Sequence, residues 1–191
     1  MMRIITGSAR GTKLEAPAGL ATRPTAERVK EAVFSMLMAE WEGRRVLDLF
    51  GGSGQMALEA LSRGAAEAVV VDAAHEAIGV IERNAARTHL ADRTKIVRSD
   101  ALSFLRSCRE PPFHYVFLDP PYASGLLPSC LSLLAECGLL AEGARVICEA
   151  GRAEDVFGDD AALAKRFRVL KCNRYGAAHI VIVTLVKEDL A

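Results

Sequence analysis

The 191-residue sequence predicts an α/β fold built on a seven-stranded, mostly parallel sheet that ends in an antiparallel β-hairpin. Three observations predict it. Short β-branched or aromatic runs alternate with helical stretches after Gly43, two further β-like runs at the end stand too close together for a crossover helix, and 51% of the residues are apolar, enough to fill a core.

Taken in order, the elements begin with a small hairpin over 3–16, two short β-like runs turning around Ala9-Arg10-Gly11. A helix follows, with Thr25 as its cap after Pro24, Glu27 in its first turn, and Ala26, Val29, Val33, Met36, Leu37 and Trp41 as a core-facing stripe. Strands are then expected over 44–49, 68–72, 95–98, 113–118 and 144–149, with helices over 55–63, 75–88, 102–108 and 124–137 between them. The runs 167–172 and 180–186, separated by Asn173-Arg174-Tyr175-Gly176, complete the sheet as a hairpin. The expected organisation is one domain, with residues 1–43 as an amino-terminal extension and 44–191 as a Rossmann-like core.

Composition excludes several classes. No run approaches the roughly 20 apolar residues of a spanning helix and the start lacks a signal-peptide pattern, so a cytoplasmic chain is expected. Cys108, Cys130, Cys137, Cys148 and Cys172 contain no Cys-x-x-Cys pair, and His75, His89, His114 and His179 fall at no ligand spacing, so neither disulfides nor a metal are assigned. The formal net charge is zero, yet two stretches are basic. Arg3, Arg10, Lys13, Arg23, Arg28 and Lys30 face only Glu15 and Glu27 over the first 30 residues, and Lys165, Arg166, Arg168, Lys171 and Arg174 run without an acid up to Tyr175. Each suits a solvated face; together they also suit a polyanion groove.

In an open parallel sheet, ligands bind beyond the carboxyl ends of the strands. Asp48, Asp72, Asp100 and Asp119 fall at four such ends, with Ala101 beside Asp100 on the cofactor side. Phe50-Gly51-Gly52-Ser53-Gly54 forms a tight loop after the first strand, where glycines permit close backbone approach to a ligand. Gly52-x-Gly54-x-x-Ala57 followed by Asp72 also fits a dinucleotide fingerprint, but a pyrophosphate placed there meets the neighbouring carboxylates. S-adenosylmethionine carries a cationic sulfonium and amino group and no phosphate, so an acid-lined pocket attracts it; Asp72 then suits its ribose hydroxyls and Asp100 its adenine amine.

Asp119-Pro120-Pro121-Tyr122 follows the apolar run 113–118. A diproline fixes two φ angles and offers no N–H, so a stiff turn must form. A solubilising turn at a strand end accounts for these residues; so does a grip on an exocyclic amine. In the second case the Asp119 carboxylate and Pro120 carbonyl accept the two amine hydrogens, aim the nitrogen lone pair at a methyl group, and leave Tyr122 to stack the base.

The chain resembles the RsmD-type methyltransferases of bacteria almost end to end. The likeness lies in Arg3-Ile4-Ile5-Thr6-Gly7, in Thr22-Arg23-Pro24-Thr25 continuing through Arg28-Val29-Lys30-Glu31-Ala32-Val33-Phe34, in Asp48-Leu49-Phe50-Gly51-Gly52-Ser53-Gly54, in Leu58-Glu59-Ala60-Leu61-Ser62-Arg63-Gly64-Ala65, in the Asp119 turn, and in Arg174-Tyr175-Gly176. Gly51-Gly52 and Gln55-Met56-Ala57 depart from the usual form of the loop. The resemblance implies a class I S-adenosylmethionine-dependent methyltransferase fold and methylation of guanine N2 in 16S ribosomal RNA within an assembling small subunit. It further implies that Arg23, Pro24 and Thr25 approach the cofactor and that the amino-terminal hairpin helps to hold RNA; from the two basic stretches, Arg10, Lys13, Arg174 and Tyr175 are the expected RNA contacts. Two other classes stay open: an amino-methyltransferase for adenine N6 or cytosine N4, and a non-enzymatic RNA-binding assembly factor or NAD-dependent oxidoreductase on the same sheet.

Overall fold

Val46, Leu47, Val69, Val70 and Val71 are fully buried, as a parallel strand covered on both faces requires. The structure, a computed structural model, describes residues 2–17, 24–37, 40–121 and 124–186, which fall into two compact units, Met1–Ala101 and Leu102–Ala191. The first unit holds α1 (Pro24–Leu37), β1 (Arg45–Asp48), α2 (Gln55–Ser62), β2 (Glu67–Asp72), α3 (His75–Arg87) and β3 (Thr94–Arg98). Its strands pair in parallel, β1 with β2 and β2 with β3. Helix α4 (Ala101–Ser107) follows. The second unit holds β4 (Phe113–Leu118), α5 (Leu126–Glu136), β5 (Leu140–Ala150), α6 (Ala161–Arg166), β6 (Phe167–Tyr175) and β7 (Ala178–Leu185). There β4 and β5 are parallel, while β7 runs antiparallel to both β5 and β6. The seven-stranded sheet has the order β3-β2-β1-β4-β5-β7-β6, so the predicted mostly parallel sheet with a terminal hairpin is the observed one.

Boundaries differ where local chemistry outweighs periodicity. Helix α1 starts at Pro24, where a missing N–H costs nothing, so Thr25 is its second residue and not its cap. The helix is described as far as Leu37, and Trp41, which is not helical, joins the core by packing its ring 5.3 Å from that of Phe34. In the final hairpin, Asn173, Arg174 and Tyr175 belong to β6, and the turn is Gly176-Ala177 with Gly176 at φ 62°. Helix α6 was not expected from periodicity, although Asp160 caps it by accepting from the Leu163 N–H at 2.8 Å. Cys108, Cys130 and Cys148 are buried, whereas Cys137 and Cys172 are exposed. Among the described residues no helix is long and apolar enough to cross a membrane.

The amino-terminal hairpin forms as a short antiparallel ladder with one bridge, Arg3 to Lys13, and backbone bonds from Ile4 to Thr12, Gly11 to Ile4 and Leu14 to Met2. So slight a hairpin is marginal alone. It is held instead by α2. Glu59, fully buried on that helix, accepts from the N–H groups of Ile5 at 2.7 Å and Thr6 at 3.1 Å and from Arg63 Nε at 2.8 Å, with the buried Lys30 Nζ at 3.8 Å. Lys30 in turn donates to the Arg3 carbonyl at 2.6 Å. Ser62 continues the seam, donating to the Thr6 carbonyl and accepting from the Ala9 N–H. Gly7, at φ 89°, lies so close that a Cβ would overlap the Ser62 carbonyl.

Removing Glu59 leaves two backbone donors without their acceptor and takes the nearby carboxylate charge from the buried Lys30 ammonium. Glu59→Ala is expected to lower the stability seen in urea unfolding by about 3–5 kcal/mol; a change below about 1 kcal/mol would show that the hairpin is held by other contacts.

Candidate functional site

In the first unit, β2 runs two residues further than β1: Asp48, the last residue of β1, pairs with Val70, and Asp72 lies above it. The stagger sets the depth of each carboxylate. Asp48 is only 3% exposed, and burial pushes its carboxyl up to about 7 despite hydrogen bonds from the Phe50 and Ala57 N–H groups, with the nearby Asp72 charge adding to the rise. Asp72 is half-buried and closes the glycine loop, its two oxygens accepting from the Gly52 N–H and the Ala74 N–H, each at 2.8 Å. A carboxylate has about four acceptor positions, so capacity for ligand hydroxyls persists.

The loop itself is tightly specified. Gly52 and Gly54 have φ of 54° and 75°, and a Cβ on Gly51 would press on the Val70 side chain. Gly54 begins α2 without a side-chain cap, which leaves the backbone donors of the first turn to other partners. Ser53 is buried, its carbonyl held by Asn84 Nδ2 at 2.9 Å. Phe50 is half-buried beside these glycines. Backbone pairing brings Asp100 into the same neighbourhood, since β3 pairs Arg98 with Asp72 and Ser99 N–H donates to the Asp72 carbonyl. Asp100 is exposed, and Ala101 opens α4. The structure thus joins Asp48, the Gly51–Gly54 loop, Asp72 and Asp100 around one set of strand ends. Arg23 lies outside the described residues, and of Pro24 and Thr25 only their place in α1 is described.

In the second unit, Asp119 is exposed just past β4, Pro120 is buried and Pro121 exposed; Tyr122 lies outside the described residues. The Pro121 carbonyl accepts from the Ser124 N–H at 2.9 Å, which closes the turn. Pro120 and Pro121 line a small open cleft together with the carboxyl end of β5: Glu149, Ala150 and Gly151. Sequence patterning missed this part of the lining because Glu149 lies just before the end of an ordinary strand, β5.

The basic candidates are presented to solvent. Arg10 and Lys13 are exposed on the hairpin, and Arg174 is exposed near the end of β6, donating from Nε to the Gly176 carbonyl at 2.9 Å, with Tyr175 half-buried next to it. Sequence reasoning also missed Asn84, which is fully buried and ties the loop to the hairpin by binding both backbone groups of Glu15 as well as the Ser53 carbonyl. A polar residue on the apolar face of α3 was the available signal.

A family model described as conserved hypothetical protein 95 matches residues 2–184. Over 148 residues the chain is 39% identical to ribosomal RNA small subunit methyltransferase D of Escherichia coli K12, covering 78% of this chain and 74% of that protein. The protein of the same name from Haemophilus influenzae is 33% identical over 150 residues, 78% of each chain. The solved structure of Escherichia coli yhhF matches with a TM-score of 0.83 at 32% identity, covering 98% of this chain and 99% of that one.

The buried Asp48 predicts a pH dependence. Its folded pKa of about 7 lies above the ordinary 3.8, so the folded state holds this proton where the unfolded state has lost it. Stability from this group is therefore complete below the ordinary value and declines as pH rises through about 7. Urea midpoints across that range should fall more steeply for the wild type than for Asp48→Asn; parallel slopes would mean that Asp48 ionises in the fold as freely as in the unfolded chain.

Proposed function

The chain belongs to the family described as conserved hypothetical protein 95, the RsmD family, and we propose that it methylates the exocyclic N2 amine of a guanine in 16S ribosomal RNA, in an assembling small subunit, with S-adenosylmethionine as donor. The observation that carries this function is the stiff carboxylate–diproline turn after β4, with Asp119 exposed at the strand end and both prolines lining an open cleft.

The residues of the first unit suit the donor. The Asp72 carboxylate beside a glycine loop favours a cationic ligand and disfavours a pyrophosphate, with Asp48 poised near pH 7 to ionise against that cation, and a Cβ on Gly52 would meet only the Phe50 carbonyl, at 4.0 Å, so that side of the loop is open to a ligand. Asp72 would take the ribose hydroxyls and Asp100, with Ala101 beside it, the adenine edge; Phe50, Gly51, Ser53 and Gly54 shape the loop, and Arg23, Pro24 and Thr25 approach the same ligand. Bound S-adenosylmethionine supplies an electrophilic methyl group on its sulfonium.

The chain's own contribution is to prepare the acceptor. An exocyclic amine is a weak nucleophile because its lone pair is delocalised into the ring. The Asp119 carboxylate and the Pro120 carbonyl accept its two hydrogens, which turns the lone pair out of conjugation and stabilises positive charge growing on nitrogen. Pro121 stiffens the turn and Tyr122 stacks the base. The methylated ammonium is acidic enough to release its proton without a dedicated strong base.

RNA recognition is assigned to Arg10 and Lys13 on the hairpin and to β6. Arg168 pairs with Thr184 and Lys171 with Ile182, so three steps on β6 match two on β7, and the intervening bulge returns Lys171 to the face of Arg168. Asn173 and Tyr175 continue that face. A basic stripe ending on an aromatic suits phosphates followed by a stacked base, and Arg174 adds charge at the same strand end.

Two variants test the two halves separately. Asp119→Ala should retain S-adenosylhomocysteine affinity in calorimetry while methyl transfer falls by about 100-fold or more, and undiminished turnover would remove Asp119 from the site. Arg168→Glu with Lys171→Glu should weaken RNA binding and flatten its salt dependence; an unchanged salt slope would place the RNA elsewhere.

A further inference from the structure

An amine grip does not choose its base, because guanine, adenine and cytosine all carry an exocyclic amine. They differ at the adjacent ring nitrogen. Guanine N1 bears a hydrogen, whereas adenine N1 and cytosine N3 bear lone pairs. A carboxylate at that position accepts a charge-assisted hydrogen bond from guanine and repels the lone pair of the other two.

The second unit holds a second carboxylate on the strand next to Asp119. Leu118 and Cys148 are the last paired residues of the parallel strands β4 and β5, so Asp119 and Glu149 follow at one level on neighbouring strands, whose backbones run about 5 Å apart. Side chains at one level on neighbouring strands project to the same face of the sheet, so these two carboxylates can serve adjacent donors on one edge of a purine. Glu149 is half-buried and lines the same cleft as Pro120 and Pro121. Its backbone is fixed by pairing with Ile180 of β7, in a strand bonded on both sides. Such a support holds a recognition group to the tolerance that base discrimination needs. Asp155 also lines the cleft, but Arg152 engages both of its oxygens: Oδ2 accepts from the Arg152 N–H, and Oδ1 accepts from Nε and Nη2.

We propose that the cleft is a guanine-edge subsite in which Glu149 accepts the N1–H of the target base, and that this bond sets the choice of guanine; the proposal rests on the methyltransferase function above. Glu149 acts on substrate recognition, while Asp119 acts on the reacting amine. A carboxylate has acceptor capacity for a base edge in addition to a protein partner.

The test uses small-subunit rRNA assembled with ribosomal proteins, carrying at the mapped methylation position either guanine or 2-aminopurine, which keeps the amine but has a lone pair at N1. The wild type should prefer guanine by about 10- to 100-fold in kcat/KM, the range expected for a charge-assisted bond replaced by a repulsion. Glu149→Gln, whose amide can donate to that lone pair, should shrink the preference at least about tenfold with S-adenosylhomocysteine affinity unchanged. Equal kcat/KM for the two bases in the wild type, or an unchanged ratio in Glu149→Gln, overturns the assignment of Glu149 alone. Absence of any guanine methylation by the wild type overturns the parent function, and this assignment with it.

Discussion

Glu59 is a carboxylate removed from water in the middle of α2, and its partners determine where the start of the chain goes. Two backbone N–H groups, the Arg63 guanidinium and the Lys30 ammonium converge on it, from the hairpin, α2 and α1. A buried charge is tolerated only with such compensation, so the three segments are obliged to meet. Arg63 extends the same node by resting 4.6 Å from the centre of the Phe34 ring. Because α2 begins at the glycine loop, the residue that anchors the hairpin also anchors the helix on which the loop depends.

Asn84 closes the circuit from the other side. It binds the backbone of Glu15 and the Ser53 carbonyl, while Arg83 and Arg87 pair with the Glu15 carboxylate. The hairpin proposed to touch RNA and the loop proposed to hold the donor are therefore braced by one hydrogen-bonded frame within the first unit. Asp48 and Asp72 complete the brace by accepting from the Phe50, Ala57, Gly52 and Ala74 N–H groups. These carboxylates serve first to shape the loop, and only their remaining acceptor capacity is open to a ligand.

Much of this was legible in the sequence, for physical reasons. Strands β1, β2 and β4 are near-continuous apolar runs ended by Asp48, Asp72 and, just past β4, Asp119, and such runs have few alternative structures. The elements that escaped were set by single residues. Pro24 outbid Thr25 as a helix start, Gly176 moved the last turn, and the bulge in β6 reversed the facing of Lys171, which strict alternation assigns to the opposite side. Of the site, the loop, the aspartates and the diproline turn stand out as local patterns. Glu59, Asn84 and Glu149 do not, because each is defined by partners or walls distant in sequence: 54 residues separate Glu59 from Ile5, and 69 separate Asn84 from Glu15.

The central claim is that this chain places a methyl group on a guanine N2 of 16S ribosomal RNA. Nucleoside mass spectrometry of 16S rRNA from cells lacking the gene, set beside the parent strain, addresses it directly. The account predicts loss of one N2-methylguanosine, restored by the gene. An unchanged N2-methylguanosine content, with loss of a methylated adenosine or cytidine instead, would contradict it.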